Sequence, residues 1–381
     1  MNTLFIQQRG NSINPERITE AREAKGINMA DLARLLDVSR QAVSAFEKGL
    51  KKPSSETLSQ LSKTLGFPEH FFLSDTTSPQ IKSAIHFRSR STASKKERLV
   101  GKTKGRWVSL ILNEIMNYVT LPTPEIPEID IPDFELLSNA DIEDIATNVR
   151  RTWGLGDGPI TNLTMLLENK GIIVANIHSG EKVDAFSFWN EHTPVIVIDK
   201  MKTAVRTRFS IAHELGHLVM HRAVEDDYID DPSLFKLVES QANYFASCFL
   251  MPASTFGREY YSSNIDSLMK LKKRWLTSIG AIAIRAYNLN LINDNQKIYI
   301  FQQIAPYKRR EPLDDILVRE EPRLINKIVN LIDSHDILSK RELYEKLGLP
   351  NNDFLTMTKL SLPDIMSDES SNVVSISINK K

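Results

Sequence analysis

Apolar residues recur every three to four positions through 15–74, separated by short polar or glycine-containing breaks, and this rhythm predicts a bundle of short helices. An amphipathic helix is expected at 15–25, a break at Gly26, a second helix at 29–36, and a third at 40–47 that stops at Gly49. Ser39 is a good N-cap for the third helix, because its hydroxyl can accept from an amide of the first turn that has no helical partner. Leu32, Leu35, Val38, Val43, Phe46, Leu58, Leu61 and Leu65 are the expected core. The short turn between the second and third helices fits a helix-turn-helix. Ser39, Arg40, Gln41 and Ser44 then stand at the start of the third helix, where a recognition helix meets DNA.

Further along, a proline-spaced stretch at 121–132 reads as an extended connector, and helical spacing returns at 140–153 and 162–170. β-Branched and aromatic runs predict strands at 172–177, 185–189 and 194–199, the last two joined by a hairpin through 190–193. Two apolar helices follow. One contains His213-Glu214-Leu215-Gly216-His217, and in the other Ala242, Phe245, Ala246 and Phe249 recur at helical spacing, with alanines small enough to allow close packing on its predecessor. Residues 268–292 read as two more helices about Thr277-Ser278, with Arg285 on the second, packing against the preceding domain. From 304 the chain is charged and helical until a polar tail after Ser367, and no function is legible there.

The histidine pair carries the chemistry. Residues four apart on a helix lie one above the other, so His213 and His217 can offer two imidazole nitrogens to one metal while Glu214 projects from the adjoining position. A divalent cation lowers the pKa of a bound water toward about 7, and a nearby carboxylate can take its proton as a peptide carbonyl is attacked. Glu214 is therefore the candidate base, and metal-assisted amide hydrolysis the implied reaction. A catalytic zinc needs a third protein ligand and an open position. Glu239, one turn before Asn243, can close a site of two histidines and one carboxylate, with Asn243 orienting a ligand from behind. His221 is left out, since three ligands spread over three turns would diverge; it is read as a surface histidine or a partner behind a ligand. Gly216 inside a helix suggests close approach by another element. A buried helix with satisfied histidines would show the same motif, and the acidic second helix is what favours metal.

These two segments resemble the ImmA/IrrE family of metallopeptidases. The resemblance implies that His213, His217 and Glu239 hold Zn2+, that Glu214 is the catalytic base, and that the substrate is a DNA-binding repressor. Gln241 stands where many members have another acidic residue, which favours Glu239 as the ligand. The likeness is followed upstream through Trp153-Gly154-Leu155-Gly156-Asp157-Gly158-Pro159-Ile160 and downstream through Arg274-Trp275 and Glu311-Pro312-Leu313, and is read as covering nearly the whole chain. Residues 15–74 resemble the XRE-type repressor fold through Ala33, Ser39, Glu47-Lys48-Gly49 and Pro53, which implies that Glu47 pairs with Arg22. Met29 departs from that pattern, standing where a glutamine usually touches the DNA backbone.

Charge adds a regional asymmetry. The 48 basic and 48 acidic residues among 381 cancel, yet 76–106 holds nine basic residues (Lys82, Arg88, Arg90, Lys95, Lys96, Arg98, Lys102, Lys104, Arg106) against Glu97 alone. Beside a helix-turn-helix such a stretch can add phosphate contacts, or serve as a solvated, extended linker open to cleavage. The one cysteine, Cys248, excludes an internal disulfide and reads as core. The first residues lack the pattern of a signal peptide, and no apolar run approaches the roughly 20 residues of a membrane span, so a cytoplasmic protein is expected.

The expected fold class is mainly α with a small β-sheet (α+β), an N-terminal helix-turn-helix bundle followed by a zincin-like metallopeptidase domain. The expected division is 1–75 DNA-binding domain, 76–137 basic and proline-rich linker with a helix, 138–262 zinc metallopeptidase domain and 263–381 C-terminal helical region. The function expected is that of a DNA-binding regulator whose zinc endopeptidase cleaves itself or a partner repressor. Its partners would be a double-stranded DNA operator and a protein substrate, with no membrane, and a homodimer stays open. The alternatives are a non-proteolytic regulator that senses metal or ligand, and an antitoxin-like interaction protein. Tyr228, His221, Tyr244 and nearby arginines are the candidates for stabilising an oxyanion.

Overall fold

The computed structural model describes residues 12–81, 83–89, 95–131, 133–178, 183–224, 228, 230–307 and 310–366. Its N-terminal part is a bundle of α1 (Pro15–Ala24), α2 (Met29–Leu35), α3 (Arg40–Glu47), α4 (Ser55–Leu65) and α5 (Glu69–Phe72). Each of the first four helices starts at an Asn or Ser whose side chain accepts from a backbone amide of the first turn: Asn14, Asn28, Ser39 and Ser54. Arg22 and Glu47 form a two-pronged ion pair at 2.5 and 3.0 Å, as the repressor likeness implied. The core matches expectation except at Leu35, which is 56 % exposed; Leu36 is buried instead, one helical turn beyond Leu32 on the same face.

The stretch 76–106 is not an extended basic linker. It contains β1 (His86–Ser89) and the first half of α6 (Lys95–Ile115), a 21-residue helix packed on both sides. Two of the nine basic residues turn inward, because Lys104 binds Asp353 (2.8 Å) and the His178 carbonyl (2.6 Å), while Arg106 binds Glu20 (3.3 Å). Neither charge is offered to a phosphate. Lys82 and Arg90 lie outside the described residues. On one side α6 meets α1, where fully buried Glu20 accepts from Arg17 (3.0 Å), Trp107 Nε1 (3.2 Å) and the Ser78 amide (3.2 Å). On the other side Gly105 lets the helix approach the sheet; an added Cβ would stand 3.0 Å from the Phe186 ring.

Beyond α6 the irregular segment 119–131 leads to α7 (Asn139–Thr152), α8 (Leu163–Asn169), β2 (Ile173–Ile177), β3 (Val183–Asn190) and β4 (Thr193–Asp199). The sheet order is β1-β3-β4-β2, with β2 and β4 parallel and β3 antiparallel to both its neighbours. The predicted hairpin is present as a two-residue turn closed by the pair Asn190 and Thr193. The alternation of side chains splits the sheet between two cores. Ile173, Ala175, Phe186, Phe188, Val195 and Val197 face α6 and the C-terminal helices, while Val174, Ala185, Ile196 and Ile198 face the helices of the other layer.

That layer holds α9 (Ala204–Met220), α10 (Pro232–Leu250), α11 (Ala253–Glu259), α12 (Ile265–Trp275), α13 (Ile279–Asn288) and α14 (Asp294–Ile304). Arg285 on α13 is fully buried against Glu143 (2.5 Å) and the Met251 carbonyl (2.8 Å), so this pair of helices packs on the domain before it as expected. The C-terminal helices α15 (Leu324–Ser334), α16 (Lys340–Leu347), α17 (Asn351–Thr358) and α18 (Leu362–Met366) close over the opposite sheet face and share one core with the N-terminal bundle. The polar tail after Ser367 lies outside the described residues.

Candidate metal centre

The helix α9 is buried along most of its length, and His213, Glu214 and His217 each have no exposed surface. Its close packing on α10 depends on Gly216, where an added Cβ would stand 3.0 Å from the Phe245 ring. The close approach read from that glycine is thus made by α10. It brings Glu239 between the two imidazoles, 3.3 Å from His217 Nε2 and 3.6 Å from His213 Nε2. The candidate ligand atoms of His213, His217 and Glu239 all lie within 4.8 Å of one another. Burial works to raise the Glu239 carboxyl, but the neighbouring histidines outweigh it and hold the group well below the usual carboxylate range.

The hydrogen bonds behind the histidines decide which way the rings are turned. Gln241 Nε2 donates to the Phe134 carbonyl (2.7 Å), which orients the amide so that its Oε1 accepts from His221 Nε2 (2.9 Å). Burial, reinforced by the other histidines, lowers the His221 pKa to about 3, so its ring is neutral and Nδ1 is bare. Nδ1 then accepts from His217 Nδ1 at 3.0 Å, which turns His217 Nε2 toward Glu239. On the other histidine, Nδ1 donates to Asn243 Oδ1 (3.1 Å), which turns its Nε2 toward the same carboxylate. Two imidazole nitrogens and a carboxylate converge, with the two Nε2 atoms 3.0 Å apart, and a metal would take the lone pairs those nitrogens offer once deprotonated. Two nitrogens each about 2.0–2.1 Å from a tetrahedral zinc would stand about 3.3 Å apart, so the donor set fits a small divalent cation.

Glu214 points to the other side, toward the sheet, where Ser187 on β3 donates to its Oε2 at 2.7 Å. Asn243 lies behind His213 as expected. His221 is no surface residue; it is fully buried, and its bonds to His217 and Gln241 use both ring nitrogens, which removes it from the oxyanion candidates. Tyr228 is buried 5.4 Å from the His86 ring, and Tyr244 lines a cavity of about 680 Å³ that runs from Asn243 toward Phe209, Ile284 and Phe301. Among the nearby arginines, Arg206 is occupied by Asp184 (2.6 Å) and Arg285 by Glu143. Cys248 is buried, and burial pushes its thiol up, as suits a core residue.

Two residues at the site escaped the sequence reading. Ser187 lies within the predicted strand 185–189 but is not itself singled out there. His86 comes from β1, far from the histidine motif in sequence, and its ring stacks on His217 with centroids 4.6 Å apart and planes 7° from parallel.

The helix-turn-helix presents a second surface. Ser39 caps α3 by accepting from the Ala42 amide (3.1 Å), and Ser39, Arg40 and Gln41 are exposed at its start, with Ser44 half-buried one turn on. Arg40, Gln41 and Ser44 line one shallow depression with Met29 and Lys48. Among the described residues no helix is long and apolar enough to cross a membrane.

Residues 168–287 match the family model of the IrrE N-terminal-like domain, and residues 18–72 match a helix-turn-helix family model. Comparison with curated proteins found no match. The chain therefore joins an XRE-type helix-turn-helix to a metallopeptidase-like domain. The matched spans are narrower than the nearly chain-long likeness read from the sequence.

Proposed function

We propose that this fusion of a helix-turn-helix with an IrrE-type metallopeptidase-like domain is a DNA-binding transcriptional regulator and a zinc-dependent endopeptidase, which cleaves itself or a partner repressor in a stress or mobile-element response. The observation that carries the reading is the convergence of two imidazole nitrogens and the Glu239 carboxylate, with a separate carboxylate, Glu214, one residue from a ligand. Bound there, zinc would polarise a peptide carbonyl and acidify a water.

The rest of the chemistry belongs to the chain. Ser187 fixes the Glu214 carboxylate in one orientation, and full burial makes proton transfer to it independent of bulk solvent. Glu214 takes the proton of the attacking water and returns it to the amine nitrogen as the C–N bond breaks. Asn243 and the His221–Gln241 pair hold the two ligand rings with Nε2 turned to the metal and would favour the tautomer that leaves Nε2 free to ligate it. In the N-terminal bundle, Arg40 and Gln41 would read base edges from α3, with Ser39 and Ser44 beside them.

The test is Glu214→Gln, which removes the base without removing a ligand. Zinc should remain, and cleavage of the chain or of a repressor after the inducing stress should stop. Burial of all three residues of the motif also favours a second reading, in which the metal is sensory. Regulation that survives Glu214→Gln but disappears in His213→Ala would establish that reading and end the proteolytic one.

A further inference from the structure

We propose that residues 83–89 are the resident occupant of the peptide-binding edge of this site, a strap that must leave β3 before any extended substrate can enter. The inference rests on the peptidase reading, and it adds what controls access. An extended peptide docks on a sheet by pairing with an unpartnered edge strand. The strand beside the candidate centre is β3, whose Ser187 holds Glu214. Its outer edge is taken by β1, running antiparallel, with His86 in register with Ser187. His86 is 4 % exposed and stacked on His217. The chain thus lays its own strand where a substrate strand would lie, against a candidate ligand and opposite the residue that orients the base.

The strap is short and clipped rather than woven in. It is four residues long, its register slips between Arg88 and Ser89, and a slip of this kind is characteristic of strand edges that end pairing. Just upstream, the Ser83 hydroxyl donates to the Trp189 carbonyl (3.1 Å) and accepts from the Trp189 amide (2.8 Å), clipping the strap to the end of β3. The chain leading into it is held by the DNA-binding bundle and by α6, since Glu20 on α1 accepts from the Ser78 amide and Arg106 on α6 donates to the Ser78 and Pro79 carbonyls. A displacement of α1 would therefore pull on the segment that ends in the strap. This couples the helix-turn-helix to access at the candidate centre.

If the strap is closed in most molecules, a competing peptide meets only the open fraction, and its apparent affinity falls by that fraction. The test uses the full-length, zinc-loaded chain carrying Glu214→Gln, and a dye-labelled synthetic peptide with the sequence of residues 83–90 read by fluorescence anisotropy. Ser83→Ala with His86→Ala, which removes the clip and the stacked ring, should bind the peptide at least ten-fold more tightly than the parent. Ser83→Ala alone, a milder change, should fall between them. Arg88→Cys with Ala185→Cys, a register pair, should bind none when oxidised and return to the parent affinity on reduction. Binding is scored without turnover, so an inactive peptidase leaves these outcomes unchanged and is recognised separately by the absence of cleavage in the Glu214 protein. Equal binding by parent, released and oxidised proteins, with their circular dichroism unchanged, would overturn the strap.

Discussion

Replacing His221 by Ala should weaken zinc binding without touching a ligand. The side chain stands between His217 Nδ1 (3.0 Å) and Gln241 Oε1 (2.9 Å), and it is fully buried. With it gone, His217 has two options. It can keep its proton on Nδ1, leaving a buried donor without an acceptor at a cost of about 1–3 kcal/mol. Or it can move the proton to Nε2 and lose the lone pair that a metal would take. Either way the competent tautomer is penalised by about 2 kcal/mol, which at about 1.4 kcal/mol per tenfold is roughly a 30-fold loss of affinity. That lies within the about 10- to 100-fold cost of losing a group that orients a metal ligand.

The assay is competition with a chelator of known affinity, at fixed pH, on the full chain. Gln241→Leu breaks the same relay one link further back, so its loss should be smaller than that of His221→Ala. A change in the melting temperature of the metal-free protein separates a general loss of stability from a loss of binding, because the two proteins are then compared with no ligand linkage. Affinities within two-fold of the parent for both variants, with an intact fold, would refute the relay and return His221 to an ordinary core role.

The purified chain should hold about one zinc by elemental analysis, and Glu239→Ala should release it; full occupancy in that variant would exclude Glu239 as the third ligand. Arg40→Ala or Gln41→Ala should cost about 1–3 kcal/mol on a cognate duplex and far less on random DNA, and equal losses on both in a titration would move these residues to the phosphates. Arg22→Ala strands Glu47, whose side chain is 4 % exposed, and should destabilise the bundle by about 3–5 kcal/mol in denaturant melts followed by circular dichroism, whereas a loss under 1 kcal/mol would mean that Glu47 finds another partner.

Local chemistry explains what was legible. The helix-turn-helix could be placed because Ser39, Gly49 and the apolar positions between them act within one or two turns, and the Arg22 to Glu47 pair followed from the likeness that those residues carry. The histidine motif was readable for the same reason, and Gly216 announced the packing of α10 through the space it leaves for Phe245. Leu35 failed because a repeat of apolar residues does not say which of two adjacent leucines faces inward; the burial of Leu36 was decided by its neighbours across the bundle.

The stretch 76–106 failed for a deeper reason. Lysines and arginines in a polar run look solvated when counted, yet Lys104 and Arg106 are neutralised by Asp353 and Glu20, partners 249 and 86 positions away. His86 meets His217 only because β1 adds to the edge of β3, and edge pairing leaves almost no trace in a four-residue strand. Long-range contacts of this kind are also the ones that tie the DNA-binding bundle to the candidate centre. Glu20 is buried among Arg17, Arg106, Trp107 and the Ser78 amide, so the N-terminal bundle cannot swing away from α6 without exposing a carboxylate and two guanidinium groups that now satisfy one another. The contacts that join the bundle to α6 therefore also join it to the chain that enters β1.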